Sequence, residues 1–395
     1  MPTRPAPDLA TTACALRQWA IESVLPFWAT TGFDARSGGF HERLLPDGRP
    51  DTAAVRRLRV QARQIYVYAH AATLGWFPDG TRLALLAFDT LVDRYRSPDG
   101  AAGFARAVNR DGVLDDPLRD TYDHAFLLLA LGWLARASGD AQVRAMIDEV
   151  LGFLDEHLAA GDGTCHEGLP RSLPRRQNPH MHLLEAMLAL HETVRHPQAL
   201  ERAAGLRALL DTHFLSPATG TLTEFFDEDW RAAPLGQPVE PGHHAEWSWL
   251  VRRHARMAGL AVSPVADSLL DFASRAADRV TGLLPELSRA DGAPVSTTYR
   301  CWAQTEFAKA LLARCEDGAT GAAASAAIAL DRVRQRYLTG PVAGAWAERL
   351  DGAGAPITDF IPASSLYHLF CAIAEADRIA GAFPALMPQR RNDLV

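Results

Sequence analysis

The chain has 395 residues, 48% of them hydrophobic and 22% charged, with a formal net charge of −7. That balance is ordinary for a soluble globular enzyme, and the length suffices to bury a large core without disulfides or structural metal. It excludes nucleic acid as a partner, because basic residues gather only in short clusters such as Arg56-Arg57 and Arg175-Arg176.

Read from the N-terminus, Met1 to Leu9 is polar and proline-rich, unlike a signal peptide. Alanine, leucine and arginine then predict a first helix over 9–28. Asp34 to Gly39 breaks the pattern, and Gly38-Gly39-Phe40-His41-Glu42 reads as a short strand on a loop. Helices follow over 54–74 and 81–96, ended by Ser97 to Gly103. The helix over 119–137 carries Tyr122, Phe126, Leu129, Ala130 and Trp133 at three- and four-residue spacing, an apolar stripe. Gly139-Asp140 separates it from a helix over 141–159, which Gly161 to Gly163 closes. Helices over 179–195 and 197–213 precede Thr221-Leu222-Thr223-Glu224-Phe225, a second candidate strand. Helices over 241–259, 263–280, 298–315, 319–337 and 361–381 complete a set of about twelve.

The longest apolar run, Ala125 to Ala135, is too short to span a bilayer, so no membrane is expected. Cys14, Cys165, Cys301, Cys315 and Cys371 are scattered and odd in number, with no C-x-x-C pair, which predicts reduced thiols in a cytoplasmic protein. No proline- or serine-rich linker divides the chain, so residues 1–395 are expected to form one domain. The helices fall into pairs, and no block of strands alternates with them. That argues against Rossmann and TIM architectures and for an all-α fold, an (α/α)6 barrel with short strands on its loops. The absence of a 34- to 40-residue repeat counts against a solenoid.

Polar residues interrupt the apolar helices in a few places. These are Val60-Gln61-Ala62-Arg63-Gln64; Tyr122-Asp123-His124-Ala125-Phe126; Asn178-Pro179-His180-Met181-His182-Leu183-Leu184-Glu185-Ala186; Pro241-Gly242-His243-His244-Ala245-Glu246-Trp247; Trp302-Ala303-Gln304-Thr305-Glu306; and Pro362 through Tyr367-His368. In order and spacing they resemble the N-acylglucosamine 2-epimerase superfamily, which includes mannose isomerases, sulfoquinovose isomerases and cellobiose 2-epimerases. The resemblance runs from Phe27-Trp28 and Gly38-Gly39-Phe40 to the Tyr367-His368 pair. It implies the same (α/α)6 barrel. It also implies catalytic roles for Arg63, His243, Glu246 and His368, with His182 rather than His180 as a further site histidine. The implied reaction interconverts D-mannose and D-fructose, or D-lyxose and D-xylulose. The alternative is 2-epimerisation of a related sugar.

The chemistry accounts for the residue types. Moving a proton between C2 and C1 of an open-chain sugar needs a base that works near neutrality, and imidazole does. The enediolate needs a fixed positive charge, which arginine keeps. Glu246 follows His243 by three residues, so it is expected to share a helix face and hold that imidazole in one tautomer. His368 is assigned to C2, and His243 to ring opening or C1. Arg63 and His182 are expected to bind hydroxyls and polarise the carbonyl. Asn178, Trp302, Glu306, Trp247 and Trp346 complete the candidate substrate-binding set, the tryptophans as apolar faces for a pyranose.

Bland readings compete. His244 points to another helix face than His243 and reads as structural. Asp123 and His124 fit either reading, with packing or support behind the site favoured, and each tryptophan defaults to the core. Glu185 and Glu306 fit a core network as well as the site. His-x-His on a helix points its rings apart and His-Glu-x-x-His is absent, so neither a metal nor any other cofactor is expected. The expected partner is a monosaccharide, and the expected assembly a monomer or homodimer. A helical carbohydrate-binding scaffold has no need of several inward histidines. A glycoside hydrolase would centre on two carboxylates instead.

Overall fold

Along the chain, helices buried on every side alternate with helices buried on one side. The computed structural model describes residues 6–232, 237–340 and 342–386. Among them lie thirteen α-helical segments: α1 (Leu9–Trp19), α2 (Leu25–Thr30), α3 (Leu58–Thr73), α4 (Gly80–Tyr95), α5 (Thr121–Ser138), α6 (Ala141–Phe153), α7 (Asn178–Val194), α8 (Ala199–Leu209), α9 (Pro241–Ala258), α10 (Val265–Ala276), α11 (Cys301–Glu316), α12 (Ala322–Arg336) and α13 (Leu366–Leu386). A π-type turn, Ala20–Val24, joins α1 to α2 as one rod, and similar turns extend α6 and α8. The predicted helices over 9–28, 141–159 and 197–213 therefore run on through these turns.

Helix α5 buries every residue from Asp123 to Ala135. A helix apolar all round belongs inside a fold. In contrast, α10 buries Ala266, Leu269, Leu270 and Ala273 while Asp267, Ser268, Asp271 and Ser274 face solvent. The contacts follow from this difference. Helices α3, α5, α7, α9, α11 and α13 touch in that order, and α13 returns to α3, which closes an inner ring. The remaining helices pack outside it, α4 on α3, α6 on α5, α8 on α7, α10 on α9, α12 on α11 and α1 on α13. This is an (α/α)6 barrel, and no described helix is long and apolar enough to cross a membrane.

Short antiparallel strands gather where the inner helices begin. Arg56–Arg57 pairs with Ala107–Val108, Arg119–Asp120 with Gly168–Leu169, and Arg175–Arg176 with Phe225–Phe226. Tyr299–Arg300 pairs with Arg349–Leu350, and Ile361–Pro362 returns to Arg43–Leu44. These pairs correct several predicted boundaries. The helices expected from 54, 298 and 361 start at Leu58, Cys301 and Leu366. The intervening residues are spent on strand pairing, and in the last case also on a 3₁₀ turn at Ala363–Ser365.

One helix position repeats around the ring and pins the incoming loops. His124, His180 and His244 lie in the first turn of α5, α7 and α9 and are fully buried. Each Nδ1 sits within 3.1 Å of the carbonyl four residues earlier, on Asp120, Arg176 and Glu240. Each Nε2 accepts a backbone N–H from the preceding loop, from Phe104, Cys165 and Leu222 at 3.2, 2.9 and 3.0 Å. Gln61 and Gln304 do the same work in α3 and α11, accepting from the N–H of Phe40 and Leu284 at 2.8 Å. Gln304 Nε2 also donates to the carbonyl four residues back, on Arg300, at 3.1 Å. Burial holds the three imidazoles down at about 4, so they stay neutral and keep an acceptor nitrogen. His244 is structural, as its helix face suggests.

This equivalence generates a prediction. His180→Gln should stay within about 1.5 kcal/mol of the parent in urea unfolding, because an amide can replace both hydrogen bonds. His180→Leu should cost about 2–5 kcal/mol, since two buried backbone groups lose partners. Equal losses for the two variants would remove the pinning role.

Candidate active site

All six inner helices begin at one end of the barrel, and their first two turns enclose a polar cavity of about 190 Å³. Its walls are Arg63 from α3, Tyr122 from α5, Asn178 and His182 from α7, His243 and Glu246 from α9, Trp302 from α11 and His368 from α13. Glu240, Arg300, Ser364 and Ser365, from the segments just before those helices, complete it. Six helix N-termini thus converge on one space, and their dipoles favour negative charge there. Gly242 makes part of this packing possible. A Cβ at that position would lie 2.6 Å from the Trp302 ring, so glycine lets α11 bring Trp302 against α9.

The two histidines nearest Trp302 have different backing. Its ring centre lies 5.1 Å from that of His243 and 5.7 Å from that of His368. His243 Nδ1 is 2.9 Å from Glu224 Oε2 and 4.0 Å from Glu240 Oε2, and its Nε2 is 3.3 Å from Asn178 Nδ2. Burial opposes charge on this ring, but Glu224 and Glu240 outweigh it and push His243 up to about 10. His243 is therefore a cation at neutral pH. His368 Nδ1 is 2.8 Å from Glu306 Oε1. Burial, together with Arg63 and Lys309, holds His368 well below the usual range, so it is neutral.

His182 completes the histidine set, with Nδ1 2.9 Å from Glu185 Oε2 and its ring against Tyr122 and Phe126. Glu185 also accepts from the Tyr367 hydroxyl. Burial works against its charge, yet His182 and Lys309 hold the Glu185 carboxyl down to about 2. Arg63 donates to the Tyr122 hydroxyl at 2.8 Å and to the Ser364 carbonyl at 3.2 Å, and lies 3.9 Å over the Phe126 ring. It has no carboxylate at ion-pair distance among the described residues, so its charge is not spent on a buried ion pair. Arg63 Nε and Glu246 Oε1 are buried polar atoms without hydrogen-bond partners, and the Asn178 amide, flipped, turns its oxygen to Nε2–H of a cationic His243. Unpartnered polar atoms on residues that line a cavity suit a ligand rich in hydroxyls.

The structure therefore gathers Arg63, Asn178, His182, His243, Glu246, Trp302 and His368 around one space. Four expectations need correction. Glu246 does not hold His243; Glu224 does. Burial, and then repulsion from Glu306, push the Glu246 carboxyl well above its ordinary range, so it faces the cavity as a neutral acid. Trp247 is wholly buried, and its Nε1 donates to Gln177 at 2.7 Å. Trp346 stacks on Trp28 at 5.3 Å, inside the core. Glu306 sits behind His368 and does not line the cavity. Sequence reasoning did not single out Tyr122, Glu224, Glu240, Arg300, Ser364 or Ser365 as site residues. Glu224 stood inside the Thr221–Phe225 segment, read only as a strand; a lone carboxylate among threonines and aromatics was the available signal.

Two further hollows differ in chemistry. One of about 300 Å³ lies under Thr221, Phe225, Val239 and Arg289, and one of about 350 Å³ lies between Leu151, Met187, Arg202 and Leu206. Neither contains a histidine.

Comparison with known proteins gives the arrangement its relatives. The sequence profile of N-acylglucosamine 2-epimerase (GlcNAc 2-epimerase) matches residues 38–372. A protein of Rhizobium meliloti (strain 1021) named mannose-6-phosphate isomerase is 36% identical over 400 residues, covering 94% of this chain and 98% of that one. The cellobiose 2-epimerase of Spirochaeta thermophila DSM 6192 superposes with a TM-score of 0.85 at 23% identity, over 95% of this chain and 98% of that one. A D-mannose isomerase crystal structure superposes with a TM-score of 0.83 at 22% identity, over 92% and 97% of the two chains. At those identities the superpositions establish the shared fold. The match over residues 38–372 and the 36% identical relative establish more: the chain belongs to the N-acylglucosamine 2-epimerase family, a group of sugar epimerases and isomerases.

Proposed function

We propose that the protein is an aldose–ketose isomerase interconverting D-mannose and D-fructose, with D-lyxose and D-xylulose as a second pair. One observation carries this reading: two histidines face the same cavity, His243 with Glu224 and Glu240 behind it, which favour its cation, and His368 with a Glu306 already matched by Lys309, which leaves the neutral ring favoured. Two titratable groups pushed apart by their surroundings make an acid and a base at one pH. In this account His243 protonates the ring oxygen as the sugar opens, and the O1 hydroxyl gives up its proton in exchange, which leaves the neutral aldehyde and restores the His243 cation. His368 Nε2 then removes the C2 proton of the aldehyde. The cis-enediolate carries its charge toward Arg63 and the inner helix N-termini, with His182 holding a hydroxyl. The O2 proton passes to O1, and His368 delivers to C1 the proton it took from C2, or one exchanged from solvent, which gives the neutral ketose and restores the neutral imidazole.

A cavity of about 190 Å³ supports a monosaccharide over a disaccharide. The same geometry admits a second reading. His243 and His368 both approach Trp302, so a proton returned to the opposite face of C2 would give the 2-epimer. The reading assigns every proton transfer to histidine and invokes no metal; of the groups that could hold an ion, Glu246, Glu306 and His368 already have the Lys309 cation on Glu306. A cytoplasmic setting is part of the proposal, supported by five cysteines that are all free. The working form is taken as a monomer or homodimer.

The first test uses heavy water. After exhaustive chelation, D-mannose should still be converted to D-fructose, with solvent deuterium at C1. Turnover that needs a divalent metal, with no solvent label at all, would indicate a hydride shift instead. D-glucose in place of D-fructose would select the epimerase reading.

The second test uses pH. The base must be neutral, so activity should rise above a limb lying well below 6.5, set by His368. The acid must be protonated, so activity should fall only above a limb near 10, set by His243. Glu224→Gln removes the carboxylate that favours the cation and should move the alkaline limb down by about 1 pH unit or more, leaving the acid limb in place. An unmoved alkaline limb would take His243 out of the acid role.

A further inference from the structure

Behind His368 lies a lysine that this chemistry leaves unused. Lys309 is on α11 with its side chain 0% exposed. Its ammonium is 2.7 Å from Glu306 Oε2, 3.7 Å from Cys371 Sγ and 3.8 Å from the centre of the Trp249 ring. Taking an ammonium out of water costs several kcal/mol unless a partner offsets it, so an apolar residue would be the cheaper filling. The partner is specific. Glu185 is held by His182 and Tyr367, and the neutral Glu246 lies 3.9 Å from His182 Nδ1. Lys309 therefore pairs with Glu306, whose other oxygen meets His368 Nδ1 at 2.8 Å.

The arrangement has a consequence for the imidazole. A neutral ring carries one proton. An anionic Glu306 can only accept, so the proton must sit on Nδ1 and the lone pair on Nε2. A protonated Glu306 can donate to Nδ1. The ring proton then moves to Nε2, where it blocks the base. Burial raises the Glu306 carboxyl toward that protonated state, and Lys309 opposes the rise.

We propose that Lys309 is a positioning residue: by pairing with Glu306 it keeps that group a pure acceptor and fixes the His368 tautomer whose Nε2 is free. Its effect on turnover rests on the reading of His368 as the base. Its effect on the tautomer does not.

The experiment reads the tautomer directly, by ¹⁵N NMR of histidine-labelled protein without sugar. The His368 signal is assigned by its loss in His368→Ala. The parent and Lys309→Arg should carry the proton on Nδ1, and Lys309→Met should carry it on Nε2. With D-mannose, Lys309→Met should lose about 10²-fold or more in kcat, as wrong-tautomer variants do, with KM changed less than about threefold. A folded Lys309→Met that keeps its proton on Nδ1 overturns the proposal, whatever its activity. A flipped tautomer in a protein that turns over no mannose supports it and counts against the isomerase reading alone. If Lys309→Met does not fold, the double variant Glu306→Gln, Lys309→Met removes both charges together. Compared with Glu306→Gln, the added change should alter kcat by less than about threefold, because the lysine acts through the lost carboxylate. A further drop of about tenfold would overturn the proposal.

Discussion

What stands behind the Nδ1 atom decides what each buried histidine of this barrel can do. A ring backed by a backbone carbonyl, as in His124, His180 and His244, stays neutral and serves as a mixed donor and acceptor. A ring backed by the carboxylates Glu224 and Glu240 becomes a cation. Lifting His243 from 6.5 to about 10 reflects on the order of 5 kcal/mol of preference for the charged ring. His368 also has a carboxylate behind it, Glu306, but that charge is already matched by Lys309, and Arg63 faces the ring from α3. His243 and His368, two of the three pocket histidines, thus differ because one carboxylate group is uncompensated and the other is not. Desolvation alone would have made both neutral.

The fold and the site are built on the same helical turns. His243 and His244 are adjacent, so their side chains leave α9 about 100° apart. One faces the cavity, and the other fixes the loop at Leu222. Two residues beyond that fixed point stands Glu224, the carboxylate that charges His243. The loop clamp therefore places the group that tunes the acid. A similar division holds on α7, where His180 fixes Cys165 and His182 faces the cavity.

Much of this was legible in the chain. Runs such as Ala125 to Ala135 declared buried helices, and paired helices without alternating strands declared the barrel. The seven residues that the structure gathers around the cavity stood out in their motifs, because a polar side chain inside an apolar helix costs free energy unless it is hydrogen-bonded or serves a site. What failed was contact across long separations. Glu224 and His243 are nineteen residues apart, and only the fold of the intervening loop brings them together. The nearer carboxylate, Glu246, fits helical spacing, yet it turns toward His182 and Glu306. Trp247 and Trp346 carried the same ambiguity as any tryptophan, and the core took both. The repeat around the ring is hidden in the sequence because its period is about sixty residues and histidine and glutamine fill the repeated position interchangeably.

The account depends on opposite protonation states at His243 and His368 in one cavity. Neutron diffraction on crystals held near pH 7.5 would show the hydrogens themselves. The account predicts deuterium on both nitrogens of His243, and on Nδ1 alone of His368. Two neutral rings, two cationic rings, or a proton on His368 Nε2 would contradict it.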